Sequence, residues 1–229
     1  MIKLIMNADD FGHSKVFNQK ILDLLERGFI HSTTVMVNRV THEQSGQIER
    51  LVQLSKSKDI SIGIHLEFDV DSPIPPQIQA QYDRFLLLFK FGPSHLDFHY
   101  PKTTGKSIEP YLNTIAIGID AFALEHGLKV RNTLKDFKHE PITTTEKVLT
   151  GTYLSYDKLA NLIEGLRDGE SYELVFHPGD YDPNSKSSLN RERRDDYENI
   201  VRLQALLAKH TNIKNISYND LAQIKVKKW

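Results

Sequence analysis

The sequence predicts an α/β fold: parallel strands wrapped by helices, as in a β/α barrel that stops short of full closure. Two observations predict it. Strand-like and helix-like segments alternate about seven times along the chain, which is the order of a parallel sheet with crossover helices. Several of the strand-like segments end in acids or histidines, and barrels and open α/β sheets place their chemistry at the C-terminal ends of strands. An open doubly wound sheet is the alternative, because alternation does not reveal closure. No repeat, low-complexity tract or linker interrupts the pattern, so one domain over residues 1–229 is expected.

Each element has its own signal. Residues 2–8 read as a strand, with Ile2, Leu4, Ile5 and Met6 leading into Asn7-Ala8-Asp9-Asp10-Phe11-Gly12. Residues 14–27 read as a helix: Ser14 can cap it, Phe17, Ile21, Leu24 and Leu25 share a face, and Gly28 follows its end. Ser32 to Val37 is a β-branched second strand, and a helix follows near Glu43 to Lys56. Residues 60–66 alternate cleanly, with Ile60, Ile62, Ile64 and Leu66 on one side and Ser61, Gly63 and His65 on the other. A Pro-rich loop is expected over 72–76, then a helix over 77–91 that stops before Gly92-Pro93. Residues 94–99 are a strand, and 107–126 a helix that tolerates Pro110 in its first turn. A short strand lies around Leu128 to Arg131. Residues 132–152 show no period and read as a long loop or insertion. A helix over 155–168, a strand over 172–177, a charged helix over 191–209, a strand over 213–217 and a short C-terminal helix complete the chain.

Composition narrows the functional classes. A net charge of −1 gives no strong pull toward nucleic acid or a membrane surface. The absence of cysteine rules out disulfides and thiolate metal sites. The N-terminal apolar run is too short for a signal peptide, and no segment is long and apolar enough to span a bilayer. A cytoplasmic protein is therefore expected.

The chemistry-bearing residues fall at strand ends. Asp9 and Asp10 close the first strand; a surface turn favoured by Asp is the plain alternative. His65 lies on the face of its strand opposite the apolar residues. In Ser94-His95-Leu96-Asp97-Phe98-His99, Leu96 and Phe98 share one face and His95, Asp97 and His99 the other. The strand from Tyr172 ends at His177, before Pro178-Gly179-Asp180. One carboxylate with two neutral imidazoles can hold a divalent cation and leave coordination positions open. A second carboxylate beside it can take a proton, and a histidine opposite can return one to a leaving group. That is equipment for hydrolysing an amide or ester. Asp97 reads either as a partner that fixes an imidazole tautomer or as a buried structural acid. His95 reads as packing or hydrogen bonding, Thr33 and Thr34 as sheet formers, and Glu67 as a loop residue. His13, His31, His42, His126, His139 and His210 read as ordinary.

Taken in order, Asn7-Ala8-Asp9-Asp10-Phe11-Gly12, Ser32-Thr33-Thr34-Val35-Met36-Val37-Asn38, Gly63-Ile64-His65-Leu66, His95-Leu96-Asp97-Phe98-His99 and His177-Pro178-Gly179 resemble the successive motifs of the YdjC/ChbG-like carbohydrate deacetylases. Arg191-Glu192 and Ser217-Tyr218-Asn219-Asp220-Leu221 resemble that family's C-terminal pattern. The resemblance implies a deformed TIM-like parallel barrel. It implies a metal-dependent hydrolase that removes acetyl groups from N-acetylated sugars such as chitin-derived oligosaccharides. Following the pattern of related polysaccharide deacetylases, Asp10, His65 and His99 would hold one divalent cation, Mg2+ or Zn2+. Asp9 would be the general base and His177 the general acid. Periodicity alone does not separate the parts of Asp9 and Asp10, because neighbours in a strand point oppositely. Arg131 matches a family arginine and reads either as a partner of Asp9 or as a surface residue. The expected partner is a small N-acetylated sugar, with no nucleic acid and no membrane. Assembly as a homodimer is left open.

One departure stands out. Family members continue after the second metal histidine with more histidines, whereas here Tyr100-Pro101-Lys102-Thr103-Thr104-Gly105 follows His99. Tyr100 and Lys102 are therefore expected at the rim as substrate contacts, or else in a solvent-exposed loop. The chain is also short between residues 67 and 93. A sugar-binding protein of the same fold without turnover, and a metallo-hydrolase for another bond, are the rival readings. A phosphoester is disfavoured, because no Gly-rich phosphate loop is present.

Overall fold

A first strand buried at every position but Lys3 organises the molecule. The computed structural model describes residues 1–101, 107–133 and 144–221. In chain order the elements are β1 (Ile2–Phe11), α1 (Lys15–Glu26), β2 (Ser32–Val35), α2 (Ser45–Ser57), β3 (Ser61–Leu66), α3 (Ile74–Phe89), β4 (His95–Phe98), α4 (Glu109–His126), β5 (Lys129–Val130), β6 (Lys147–Thr150), α5 (Tyr156–Glu164), β7 (Ser171–Phe176), α6 (Arg193–Leu207) and β8 (Ile213–Asn215). The strands pair in the order β5-β4-β3-β2-β1-β7-β6, all parallel. Among the described residues β5 and β6 do not pair, so the barrel is incomplete; the alternation alone left closure undetermined.

The sheet curls until its far ends touch. Arg131, just after β5, reaches Glu173 on β7 across the interior, although four strands lie between β5 and β7. β1 has three partners. Residues Lys3 to Ala8 pair with β7. On the other edge Ile2 to Leu4 pair with β8, and Asn7 to Phe11 with β2. The final strand thus wedges into the splay below β2.

Period-2 alternation sorts the side chains. Leu4 and Met6 on β1, Ile62 and Ile64 on β3, Leu96 on β4, and Leu174 and Phe176 on β7 face outward into one apolar cluster. The helices complete it with residues such as Leu24, Leu51, Phe85 and Leu203. Each such side chain contributes about 1.5–3 kcal/mol when fully buried. The inner face is polar: Asn7, Asp9, Ser61, His65, His95, Asp97, Lys129 and Glu173 are all buried. Tyr218, in a short 3-10 turn after β8, plugs the floor. Its ring stacks on His95 (centroids 3.6 Å apart, 7° between planes), and its hydroxyl donates to Glu173. Gly63 makes room for this stack, since a Cβ there would lie 2.6 Å from the His95 ring.

Most expected elements are present, with four differences. β1 continues through the acids to Phe11 instead of stopping at residue 8. α3 starts at Ile74, inside the stretch expected to be a loop; Pro75 and Pro76 fit its first turn, where no N–H is needed. β6 lies within the segment that showed no period. It has four residues at a half-exposed sheet edge, too few for alternation to register. The expected C-terminal helix is, within the described residues, the 3-10 turn Tyr218–Asp220. No helix among the described residues is long and apolar enough to cross a membrane.

Candidate active site

The site begins with a backbone irregularity. Asp10 has φ +69°, in the left-handed region, and the β1–β2 register shifts between Ala8 and Phe11. The shift brings the carboxylates of two adjacent residues to the same cluster of histidines, which regular alternation forbids. A non-glycine residue held this way costs about 1–3 kcal/mol. Neighbours hold it there. Arg193 donates to Asp10 Oδ2 (2.5 Å), the His13 amide donates to the Asp10 carbonyl (3.1 Å), and Gly12 (φ +97°) donates its amide to Asn18 Oδ1 (2.7 Å).

Asp10 Oδ1 is buried and has no hydrogen-bond partner among the described residues. His65 Nε2 lies 3.4 Å from it and His99 Nδ1 3.6 Å. One atom from each of the three residues falls within 4.8 Å of the others. His65 Nδ1 pairs with Asp97 Oδ1 at 2.8 Å, which puts the proton on Nδ1 and turns Nε2 toward Asp10. An orphaned carboxylate oxygen facing two imidazole nitrogens fits a divalent cation. Burial opposes charge on Asp10, but the nearby His99 and the charges of His177, Arg193 and His65 hold it well below the usual carboxylate range. Burial also opposes charge on His65, yet Asp97, Asp9 and Asp10 push it up to about 9.

Asp9 is held differently. Its Oδ1 accepts from Asn7 Nδ2 (2.7 Å), Thr34 Oγ1 (2.8 Å) and Arg131 Nη2 (2.7 Å), and its Oδ2 from Arg131 Nη1 (2.8 Å). Burial would raise its pKa, but Arg131 and the nearby His65 and His177 carry it below the ordinary range. The same guanidinium pairs with Asp97 and Glu173. A second cluster of possible ligands, Asp9, His65 and Asp97, therefore already holds a cationic side chain.

His177, one residue past β7, presents Nε2 to Asp9 Oδ2 at 3.8 Å, and its Nδ1 lies 2.9 Å from Thr152 Oγ1. Burial lowers its pKa, against the charges of Asp10 and Asp9. A cleft of about 200 Å³ opens above Asp10 and His99. Pro101 lines it, while Tyr100 is 51% exposed and rests against Phe98, with ring centroids 5.6 Å apart. Lys102 lies outside the described residues.

The structure brings together Asp9, Asp10, His65, His99, Asp97, Arg131 and His177. It also adds residues that the sequence did not single out. His13, read as ordinary, lines the cleft. Its Nε2 meets Arg39 at 2.9 Å, and burial lowers its pKa to about 4. Arg39 bonds Glu67, another lining residue. Arg193 is fully buried, with its guanidinium stacked 4.0 Å above the Phe17 ring. His95 stays in the floor of the barrel, as packing predicts, bonded to Ser94.

The profile of the YdjC-like protein family matches residues 3–78, which carry Asp9, Asp10 and His65. Over that stretch the chain is similar to the YdjC-like family. It is 27% identical to a carbohydrate deacetylase of Clostridium beijerinckii, with 96% of this chain and 100% of that protein covered. It is 28% identical to carbohydrate deacetylase 2 of Listeria innocua, with 96% and 99% covered. Among solved structures, a candidate cellobiose-phosphate cleavage protein of Enterococcus faecalis superposes with a TM-score of 0.73 at 20% identity, covering 95% of this chain and 97% of the other. A family 4 acetyl xylan esterase of Clostridium thermocellum, solved with a cobalt ion, gives 0.51 at 16% identity over 93% and 87%. These structural likenesses establish the incomplete parallel barrel.

Proposed function

We propose that the chain is a metal-dependent hydrolase that removes acetyl groups from N-acetylated sugars, releasing acetate and a free amine. The observation that carries this reading is the orphaned Asp10 oxygen facing His65 and His99, with Asp9 and His177 alongside. Relatives of matching length named carbohydrate deacetylases support the sugar and the bond. Asp10, His65 and His99 would hold the cation, and two imidazoles in the set favour Zn2+ over Mg2+. A bound cation would polarise the acetyl carbonyl and make water a better nucleophile at neutral pH. Asp9 accepts the proton from the attacking water. Its Oδ2 carries only one of the four bonds to the carboxylate and faces the histidine, so that oxygen has room for the task. His177 gives a proton from Nε2 to the departing amine, which leaves poorly without one. Arg131 keeps Asp9 ionised and aimed, and Asp97 keeps the proton of His65 away from the cation.

An acetate-release screen tests this. Protein stripped by chelator and reloaded with single metals is assayed on N-acetylated mono- and oligosaccharides. Metal-restored release from at least one sugar is expected. Tight metal binding without turnover on any N-acetylated sugar would overturn the reading.

A further inference from the structure

The hydrogen atoms around His177 can be counted. Asp196, on α6, accepts at Oδ2 from the His177 backbone amide (2.7 Å) and from Thr152 Oγ1 (2.6 Å). A threonine hydroxyl has one proton, and Thr152 gives it to Asp196. What remains on Thr152 Oγ1 are lone pairs, and one faces His177 Nδ1 at 2.9 Å. Nδ1 must then be the donor. In the neutral ring Nε2 is bare, and Nε2 is the nitrogen beside Asp9.

We infer that Thr152 and Asp196 are positioning residues that fix His177 as the Nδ1–H tautomer with Nε2 turned into the site. This rests on the deacetylase reading, in which His177 protonates the amine. With the proton on Nδ1, the ring can donate from Nε2 only as an imidazolium. Asp196, one hydroxyl away, offsets the cost of that charge in a buried place. The other charged groups facing the ring are Asp9, Asp10 and Arg193, and they stay the same when Asp196 is changed. Thr152 is itself buried, just past β6, and Asp196 also lines an outer cavity of about 410 Å³ beside Tyr153. The relay thus joins the edge strand and the last long helix to the acid. Had Asp196 been protonated at Oδ2, the chain of donors would run backwards and place the neutral-ring proton on Nε2. The two arrangements are experimentally distinct.

Nitrogen-15 spectra of the imidazoles, with His177 assigned by comparison with His177→Gln, should show the neutral ring protonated at Nδ1 in wild type. Thr152→Val should lose that preference and Thr152→Ser keep it. On N-acetylated sugars Thr152→Val should lower kcat by about 10²-fold with KM nearly unchanged. Thr152→Ser should restore most of the rate. An activated aryl acetate, whose phenolate leaves unaided, should be hydrolysed by Thr152→Val almost as fast as by wild type, which a loss of metal or fold would not allow. Asp196→Asn should move the alkaline limb of kcat/KM to lower pH, because the imidazolium loses its counter-charge. A neutral wild-type ring protonated at Nε2 overturns the relay whatever the activity. Equal loss on amide and ester substrates in a folded, metallated Thr152→Val also overturns it. No turnover in wild type, with the Nδ1–H tautomer present, removes the deacetylase reading and leaves the relay standing.

Discussion

Among the described residues one oxygen of Asp10 has no hydrogen-bond partner, whereas both oxygens of its neighbour Asp9 are taken, and a single peptide bond separates the two residues. Asp10 meets two histidines; Asp9 meets an arginine shared with Asp97 and Glu173. Identical side chains therefore acquire different chemistry from what surrounds them. The open carboxylate suits a cation. The other, hydrogen-bonded at both oxygens, is kept ionised by Arg131 and is held still. The left-handed turn at Asp10 makes the division possible, by letting consecutive residues face one cavity.

The sharpest way to break this contrast is to remove one side of it. His65→Ala should lose its metal, since Asp10 and His99 alone form a poor site, and full occupancy by elemental analysis would show that the open oxygen serves another purpose. Asp9→Asn should keep the metal and lose turnover by about 10²–10⁴-fold. Loss of metal in Asp9→Asn would mean that the two acids have exchanged parts.

Arg131→Met sharpens the other half. It leaves Asp9, Asp97 and Glu173 buried without their common cation, and such a removal costs about 3–5 kcal/mol. Chemical denaturation should show that loss; a change under about 1 kcal/mol would mean that the carboxylates find other partners. Asp97→Asn is milder. It weakens the hold on the His65 tautomer and should reduce metal affinity by about 10–100-fold, read by competition with a chelating dye.

The smallest effect is one of pH. His65 has its pKa raised to about 9 in the folded protein without metal. Its protonated form is thus favoured by folding. That stabilisation is complete below about 6.5, the unfolded value, and is lost as pH climbs through about 9. A cation needs the bare nitrogen, so binding near pH 7 should release about one proton from His65, and affinity should rise with pH until about 9. Calorimetry in buffers of different ionisation enthalpy measures the release. A buffer-independent heat would place the ring neutral before metal arrives.

How much of this could be read in advance follows from where local pattern is informative. Alternation in β3 and β4 put His65 and Asp97 on the inner face, because period-2 segments with apolar residues toward helices leave no other choice. The parts of Asp9 and Asp10 stayed open because a left-handed residue inside a strand has no signature in composition. Arg193 and Asp196 were missed in a helix that reads as charged overall. A signal was present: Arg193, Asp196, Ile200, Leu203 and Leu207 are spaced three or four apart and form one buried stripe. Charged residues at core positions of an amphipathic helix mark inward-facing chemistry. His13 gave no such sign, since its partner Arg39 comes from a turn 26 residues further along the chain.

The wedge of β8 against β1 has a consequence for synthesis. Residues 2–4 are made about 210 residues before their partners at 213–215. At ~5–20 residues per second, the lower edge of the first strand waits roughly 10–40 s on the ribosome before it can be covered. During that time Tyr218 is also missing, and Glu173 has no phenol to bond. The nascent chain therefore carries an uncovered strand edge and an unfinished ionic floor until residues 213–218 have emerged. Segments that shield apolar β-edges on the ribosome would matter more for this topology than for one whose first strand finds all its partners early.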